Sequence, residues 1–563
     1  MSFVRYFALP LVLVACSVAV ADDWLRFRGP SGSGVATGSE KIPTQWSPRA
    51  NIAWKTPLPG PGVSSPIVVG SKVFLTCYSG YGLTQESPGE IKNLMRHVVC
   101  VDAQTGEKLW QRDVRATLPE DPYSGVGVTA HGYASHTPVS DGKHVYAFLG
   151  KSGVHAFDLD GTPVWKADVG KESDPTKWGS SSSPIIHEDL VIVTASAESQ
   201  SIIGLDKITG EEKWRQEAEG LDGMWGTPTL VKMDGGRTDL VMCVAKELWG
   251  LDPASGKMRW FAEATGAEHA YSSVITDGDQ VLAFTGRGGG SIAVKMGGTG
   301  DVSDSNTVWT GNETASFGSP VRHQSKAYLV SRGVVTIVDT KSGEKLDQVR
   351  LQGVQQTGGR FGSLDYPSPI VVGDRMFYLN GSGQMFVFDL SGELEQVAVN
   401  RVTNDKESFG GTPAVSDGRL FLRSTKHLYC VTDKGETVQP SAIAIAKTEA
   451  PANPGRAAGG RPGGGQRGGG GGGNSRFDPM SLFASLDLNK DSKVTADELA
   501  KSPMKDRLKT LDKDGDDEVS QEEFRSGIST LFGGRSGGGG GGYRPGGEKD
   551  SRPDRPQRPQ MAG

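Results

Sequence analysis

Between residues 50 and 440 the apolar positions come in short runs of three to eight, cut by Gly, Asp-Gly or Pro, with no sustained helical period. Two phrases organise these runs. The first is Val101-Asp102-Ala-Gln-Thr-Gly106-Glu-Lys-Leu-Trp110. It returns as Leu205-Asp206 to Trp214, Leu251-Asp252 to Trp260 and Val338-Asp339 to Asp347, with looser copies at Phe157-Asp158 to Trp165 and Phe388-Asp389 to Gln396. The second phrase is a small residue before Pro, leading into an apolar strand: Ser65, Thr137, Ser183, Thr227, Ser319, Ser368 and Thr412, with Ser273-Val274 filling the same slot. These eight marks lie 72, 46, 44, 46, 46, 49 and 44 residues apart. A period of roughly 40–50 residues with several strands per unit predicts a β-propeller.

One unit reads as a strand such as Ile67–Val69, a turn, a second strand over Lys72–Cys77, a third ending at the Asp, and a fourth carrying the Trp. The Asp can accept backbone hydrogen bonds within the Asp-x-x-Thr-Gly turn, and the Gly supplies positive φ. The Trp is large enough to pack between neighbouring sheets. The last unit, from Pro413 to about Gln439, lacks a fourth strand with a Trp. Asn51-Ile52-Ala53-Trp54-Lys55 has the form of that missing strand. Splicing the two ends would close the ring and remove its free edges. The expected fold is therefore all-β, an eight-bladed propeller over 24–440.

From 477 to 532 the pattern changes to helical spacing, with Met480-Leu482-Phe483-Leu486, Leu508-Leu511 and Phe524-Ile528-Leu531. Between these runs lie two oxygen-rich loops of twelve. The first offers Asp487, Asn489, Asp491, Lys493 (through its carbonyl), Thr495 and Glu498. The second offers Asp512, Asp514, Asp516, Glu518 (through its carbonyl), Ser520 and Glu523. Calcium takes six to eight hard oxygens, and this spacing wraps five protein ligands round the ion with the closing Glu binding by two oxygens. Val494 and Val519 hold the eighth position, where paired loops join by a short β-bridge. The sixth position, normally Gly, is Ser492 and Asp517; Asp tolerates the left-handed backbone better. With four carboxylates against three, the second loop should bind more tightly. The region resembles an all-α EF-hand pair binding Ca2+.

Composition then separates the parts. Of 79 glycines, 12 lie in 451–476 and 10 in 533–547, where no core can form. These mark a disordered Gly/Arg-rich linker over 441–476 and a disordered Gly/Arg/Pro tail over 533–563. A net charge of −6 speaks against a nucleic-acid partner. Residues 1–21 read as a signal peptide, with Arg5, an apolar run from Phe7 to Val14 and Ala19-Val20-Ala21 before an acidic start. Leu13-Val14-Ala15-Cys16 offers a rival lipobox, which would leave a lipid anchor on Cys16. Either reading makes the chain an exported protein of the periplasm, envelope or medium, expected as a monomer. Cys77, Cys100, Cys243 and Cys430 form no zinc spacing; they suit buried strand positions, and the compartment would allow a Cys77–Cys100 disulfide.

The Asp-x-x-Thr-Gly-x-x-x-Trp phrase on eightfold spacing resembles the PQQ-like repeat of quinoprotein dehydrogenases and of the BamB outer-membrane assembly lipoproteins. Trp24-Leu-Arg-Phe27-Arg28-Gly29-Pro30 is similar to the start of secreted planctomycete propellers of this type. Quinoprotein dehydrogenases of the family cover their quinone with two adjacent cysteines, and this chain has no Cys-Cys pair. That speaks against PQQ as a cofactor and against catalysis. The reading favoured from sequence is a non-enzymatic binding or scaffolding propeller. Quinoprotein dehydrogenase and BamB-like assembly factor are its alternatives. A binding face would carry Lys151, Lys246, Arg287, Arg332 and Lys426 in one set of turns and Trp178, Trp225, Tyr271, Phe317 and Phe409 in another. Such a face suits a carbohydrate or anionic envelope ligand, or a protein partner.

Overall fold

The computed structural model describes residues 23–436, apart from 38–40, 126, 234, 265, 268, 287 and 356–365, together with short stretches between 493 and 524 and residues 557–562. The chain divides into two compact units. One holds Met1–Lys447 with Asp554–Gly563, and the other holds Thr448–Pro553.

Eight antiparallel sheets make up the first unit. Blade 1 is typical, with strands Ile67–Val69, Lys72–Ser79, Met95–Asp102 and Lys108–Arg115 paired in sequence order. Blades 2 to 7 repeat this order, beginning at Val139, Ile185, Thr229, Ile275, Val321 and Ile370. Blade 8 has Ala414–Ser416, Arg419–Arg423 and His427–Thr432, and its fourth strand is Ile52–Pro57. That strand runs antiparallel to His427–Thr432, with Trp54 opposite Cys430. The splice read from Trp54 therefore closes the ring.

The repeated phrase acts between blades. A Cβ added to Gly106 would lie 2.6 Å from the Trp54 ring, and Gly161, Gly210, Gly256 and Gly343 face Trp110, Trp165, Trp214 and Trp309 in the same way. Each indole thus lies flat on the Gly of the next blade's turn, where any side chain would push it off. Four of the five also donate their indole N–H to a carbonyl of that turn, as Trp110 does to Leu159 O at 3.0 Å. The Asp holds the turn in shape: Asp206 Oδ1 accepts from Ile208 N at 3.0 Å and Thr209 N at 2.9 Å. Those hydrogen bonds, led by that of Thr209, keep the Asp206 carboxyl below the usual range.

Blade 4 departs from the pattern. The Trp260 indole donates instead to Asp239 Oδ2 at 2.8 Å, a buried carboxylate that also takes Arg237 and Arg259. Its outer strand, Met258–Glu263, gains extra parallel neighbours at Gly300–Asp301 and at Met561. The last residues of the 533–563 tract are therefore docked on the propeller, unlike the disordered tail expected there. Cys77 and Cys100 are free and buried, and the register sets Cys77 opposite His97 but Cys100 opposite Phe74. The allowed disulfide is not formed.

In the second unit, Lys493–Thr495 and Glu518–Ser520 pair antiparallel with buried Val494 opposite buried Val519. Ser520 N–H donates to Glu523 Oε2 at 2.9 Å while Glu523 N–H donates to Ser520 Oγ at 3.3 Å, a reciprocal helix cap.

Candidate functional site

The small residue before each first strand builds the centre of the ring. Ser65 N–H donates to Thr137 Oγ1, Thr137 N–H to Ser183 Oγ, Ser183 N–H to Thr227 Oγ1, and Thr227 N–H to Ser273 Oγ. The circuit continues through Ser319, Ser368 and Thr412, and Thr412 N–H returns to Ser65 Oγ. All eight bonds are 2.9–3.1 Å. Only a short hydroxyl can both reach the neighbouring backbone and leave the channel open, which is why the repeat carries Ser or Thr there.

Above this ring opens a cavity of about 660 Å3, lined by all eight ring residues. Five aromatic side chains from the loops entering blades 3 to 7 form one arc of its wall. Their ring centroids follow at 5.5 Å (Trp178–Trp225), 5.2 Å (Trp225–Tyr271), 5.1 Å (Tyr271–Phe317) and 4.9 Å (Phe317–Tyr366). Trp225 and Tyr271 stack within 11°, and Trp225 is pinned by its N–H on Gly179 O at 2.7 Å.

The opposite wall is polar and comes from the long segment between blades 1 and 2. His131 lies between Ser135 Oγ at 2.6 Å and Trp178 O at 2.7 Å. Burial holds its pKa below the usual imidazole value. Behind it, Ser180 Oγ donates to Glu198 Oε1 at 2.6 Å and meets His136 Nε2 at 3.0 Å. Burial pushes Glu198 up to about 7 and His136 down to about 3. Arg96 pairs with Glu120 at 2.6 Å nearby.

The floor is the N-terminal segment. Trp24 pairs with Val68 of blade 1, Leu25 O accepts from Ser140 N of blade 2, and Gly34 O accepts from Val371 N of blade 7. Between these anchors Arg26 reaches Pro228 O and Arg28 reaches Pro320 O, each one residue past the ring. Phe27 faces up into the cavity. Both arginines are buried, which pulls them down to about 10 and 9, with Arg26 also repelling Arg28.

A family model described as "Outer membrane protein assembly factor BamB" matches residues 95–349 and 301–441, together more than half of the chain. The chain belongs to this family of PQQ-like propellers. Among solved structures it resembles BamB from Moraxella catarrhalis, with 12% identity over 68% of this chain and 99% of that one and a TM-score of 0.46. A europium-containing methanol dehydrogenase matches with 11% identity over 72% and 90%, TM-score 0.48. The computationally designed Ika8 protein matches with 10% identity over 68% and 100%, TM-score 0.43. No curated protein matches the chain in sequence.

Of the residues expected on the binding face, Trp178, Trp225, Tyr271 and Phe317 meet in the arc. Phe409 does not; it is 2% exposed and packs inward on Gly383 and Tyr429. Tyr366 takes the fifth place instead, and lies beyond a stretch that breaks the repeat spacing. None of the expected cations lines the cavity among the described residues. Lys151 is buried against Ser173 and Asp121; Lys246, Arg332 and Lys426 are exposed elsewhere, and Arg287 lies outside the described residues. Of the calcium-loop residues, Lys493, Thr495, Asp512, Asp516, Glu518, Ser520 and Glu523 are described. Asp487, Asn489, Asp491, Glu498 and Asp514 lie outside, as do the signal peptide and Cys16.

Proposed function

We propose that this family member is an exported, non-enzymatic binding propeller whose funnel takes a carbohydrate of the cell envelope. The carrying observation is the aromatic arc facing a ring of hydroxyls in a cavity that, among the described residues, has no Asp, Glu, Lys or Arg in its lining. Sugars offer C–H faces that stack on aromatic rings and hydroxyls that pair with hydroxyls, and each ring hydroxyl still has its own hydrogen to donate. The anionic ligand considered from sequence is less well served, because among the described residues the floor cations Arg26 and Arg28 do not line the cavity and are engaged with Pro228 O and Pro320 O. The same lining does not fit a carboxylated quinone, and the chain has no adjacent cysteines to cover one. Export rests on the leader-like start. Among the described residues no helix is long and apolar enough to cross a membrane.

The second unit is proposed to bind Ca2+ through the two twelve-residue loops, with Glu498 and Glu523 closing them. The Val494–Val519 pairing supports this reading, since it sits at the position where paired loops join. The family match favours one further reading, a protein partner in envelope assembly in the manner of BamB.

Tryptophan fluorescence of the full-length chain, titrated with envelope oligosaccharides, tests the funnel. Saturable quenching that Trp225→Ala abolishes is the expected result. No response to sugar, with dye-linked alcohol oxidation after quinone addition, would replace the reading with a dehydrogenase. No response together with capture of an outer-membrane protein would favour assembly.

A further inference from the structure

Glu247 opens the third strand of blade 4, Glu247–Leu251, and its side chain is 2% exposed. The Trp249 indole donates to its Oε2 at 2.7 Å. Among the described residues its one cationic partner is Arg558, 311 positions further along the chain. The pairing is two-pronged: Arg558 Nε donates to Oε2 at 2.8 Å and Nη2 donates to Oε1. The same guanidinium lies 3.5 Å above the centre of the Phe261 ring. A carboxylate buried this deeply is costly unless a well-placed cation meets it. The planar fork of arginine suits both the carboxylate and the aromatic face, which a lysine would not.

Main-chain bonds extend the contact. Gly220 N–H donates to Gln557 O at 3.2 Å, Met258 N–H to Gln560 O at 2.8 Å, and Ala562 N–H to Met258 O at 2.8 Å. The segment therefore joins the start of Met258–Glu263 through a parallel bridge between Met258 and Met561. Pro559 directly follows Arg558 and biases it to the extended backbone that this pairing needs. Met561 stays 44% exposed, so recognition resides in the arginine and the backbone.

We propose that this edge of blade 4 is a binding site for an extended, arginine-bearing peptide, and that the chain's own C-terminus is its resident occupant. Strand addition supplies affinity, and the slot between Glu247 and Phe261 supplies selectivity. The tether keeps the tail at high effective concentration, so an outside peptide enters only when the tail is weakened. The site is independent of what the funnel binds.

The test uses the full-length chain and a fluorescein-labelled peptide of residues 554–563. Arg558→Ala vacates the slot without touching any propeller residue. Its chain should bind the peptide at least tenfold more tightly than the unaltered chain does, and a peptide carrying Ala in place of Arg558 should not bind. In the unaltered chain the amides of Met258 and Ala562 should be protected from hydrogen exchange, and Arg558→Ala should release both. Equal binding to the two chains, binding that ignores the arginine, or an Ala562 amide exchanging at the free-peptide rate would each overturn the proposal.

Discussion

Two kinds of junction hold this propeller together. Where blade 5 meets blade 6, Trp309 lies on Gly343 and donates to Thr340 O, so the receiving turn comes from the repeated phrase. Where blade 4 meets blade 5 the receiving turn, Lys295-Met-Gly-Gly-Thr-Gly300, has lost the phrase. Trp260 turns to Asp239, and Gly300–Asp301 together with a bridge from Met561 cover the outer edge. A repeat can thus lose its adhesive at one joint if other segments take over the exposed edge.

The severest way to break the comparison is to remove the joint that uses both chain ends. Deleting 52–57 leaves blade 8 with three strands and bares the outer edge of His427–Thr432, and should abolish soluble folded protein, read by size-exclusion and circular dichroism. Trp309→Ala at a regular joint should cost about 3–5 kcal/mol in urea unfolding, because a buried indole leaves a cavity. Trp260→Phe at the irregular joint should cost less, about 1–3 kcal/mol. It keeps the packing but withdraws one donor from buried Asp239, which still has two arginines. Equal costs at the two joints would erase the distinction.

The inner end of the joint between blades 2 and 3 sharpens it further, because that joint buries titrating groups. Glu198 is raised to about 7 from 4.5, so its contribution is full below pH 4.5 and lost as pH rises towards 7. His136 is depressed to about 3 from 6.5, so its contribution is full above pH 6.5 and lost as pH falls towards 3. Between pH 4.5 and 6.5 the two slopes oppose and stability should be nearly flat. Glu198→Gln should unmask a rise with pH across that window and His136→Gln a fall, each of about 1–2 kcal/mol by chemical denaturation. Flat profiles in both variants would mean that burial does not hold Glu198 and His136 away from their ordinary values. The smallest effect should come from Glu523→Gln, which takes one clamp oxygen charge from the second calcium loop. Calcium affinity should fall about tenfold by calorimetry, with the thermal transition of the propeller unmoved.

The eight marks, the turn chemistry and the Trp54 splice were all legible because each lies within a few residues of sequence. The aromatic arc was four-fifths legible by the same token. The hydroxyl ring was visible as a pattern but not as a circuit, since its bonds join residues 44 to 72 positions apart and the closing one spans 347. The cations misled because a lysine in a turn reads as exposed, whereas Lys151 is drawn inside by Asp121 and Ser173. Nothing in a run of Arg, Pro and Gln could announce that Arg558 meets Glu247.

The floor laid by residues 24–36 also sets an order of events. That segment is held by blades 1, 2, 4, 6 and 7, and Ile52–Pro57 waits for His427–Thr432. A chain made from its N-terminus onward delivers these pieces first and can seat them last. Early blades must stand with open flanks until residue 432 has emerged, and the ring closes only when the oldest residues meet the newest. Long loop closure of this kind is the costly part of any fold rich in distant contacts. Interrupted synthesis would yield a ring segment with neither base nor clasp.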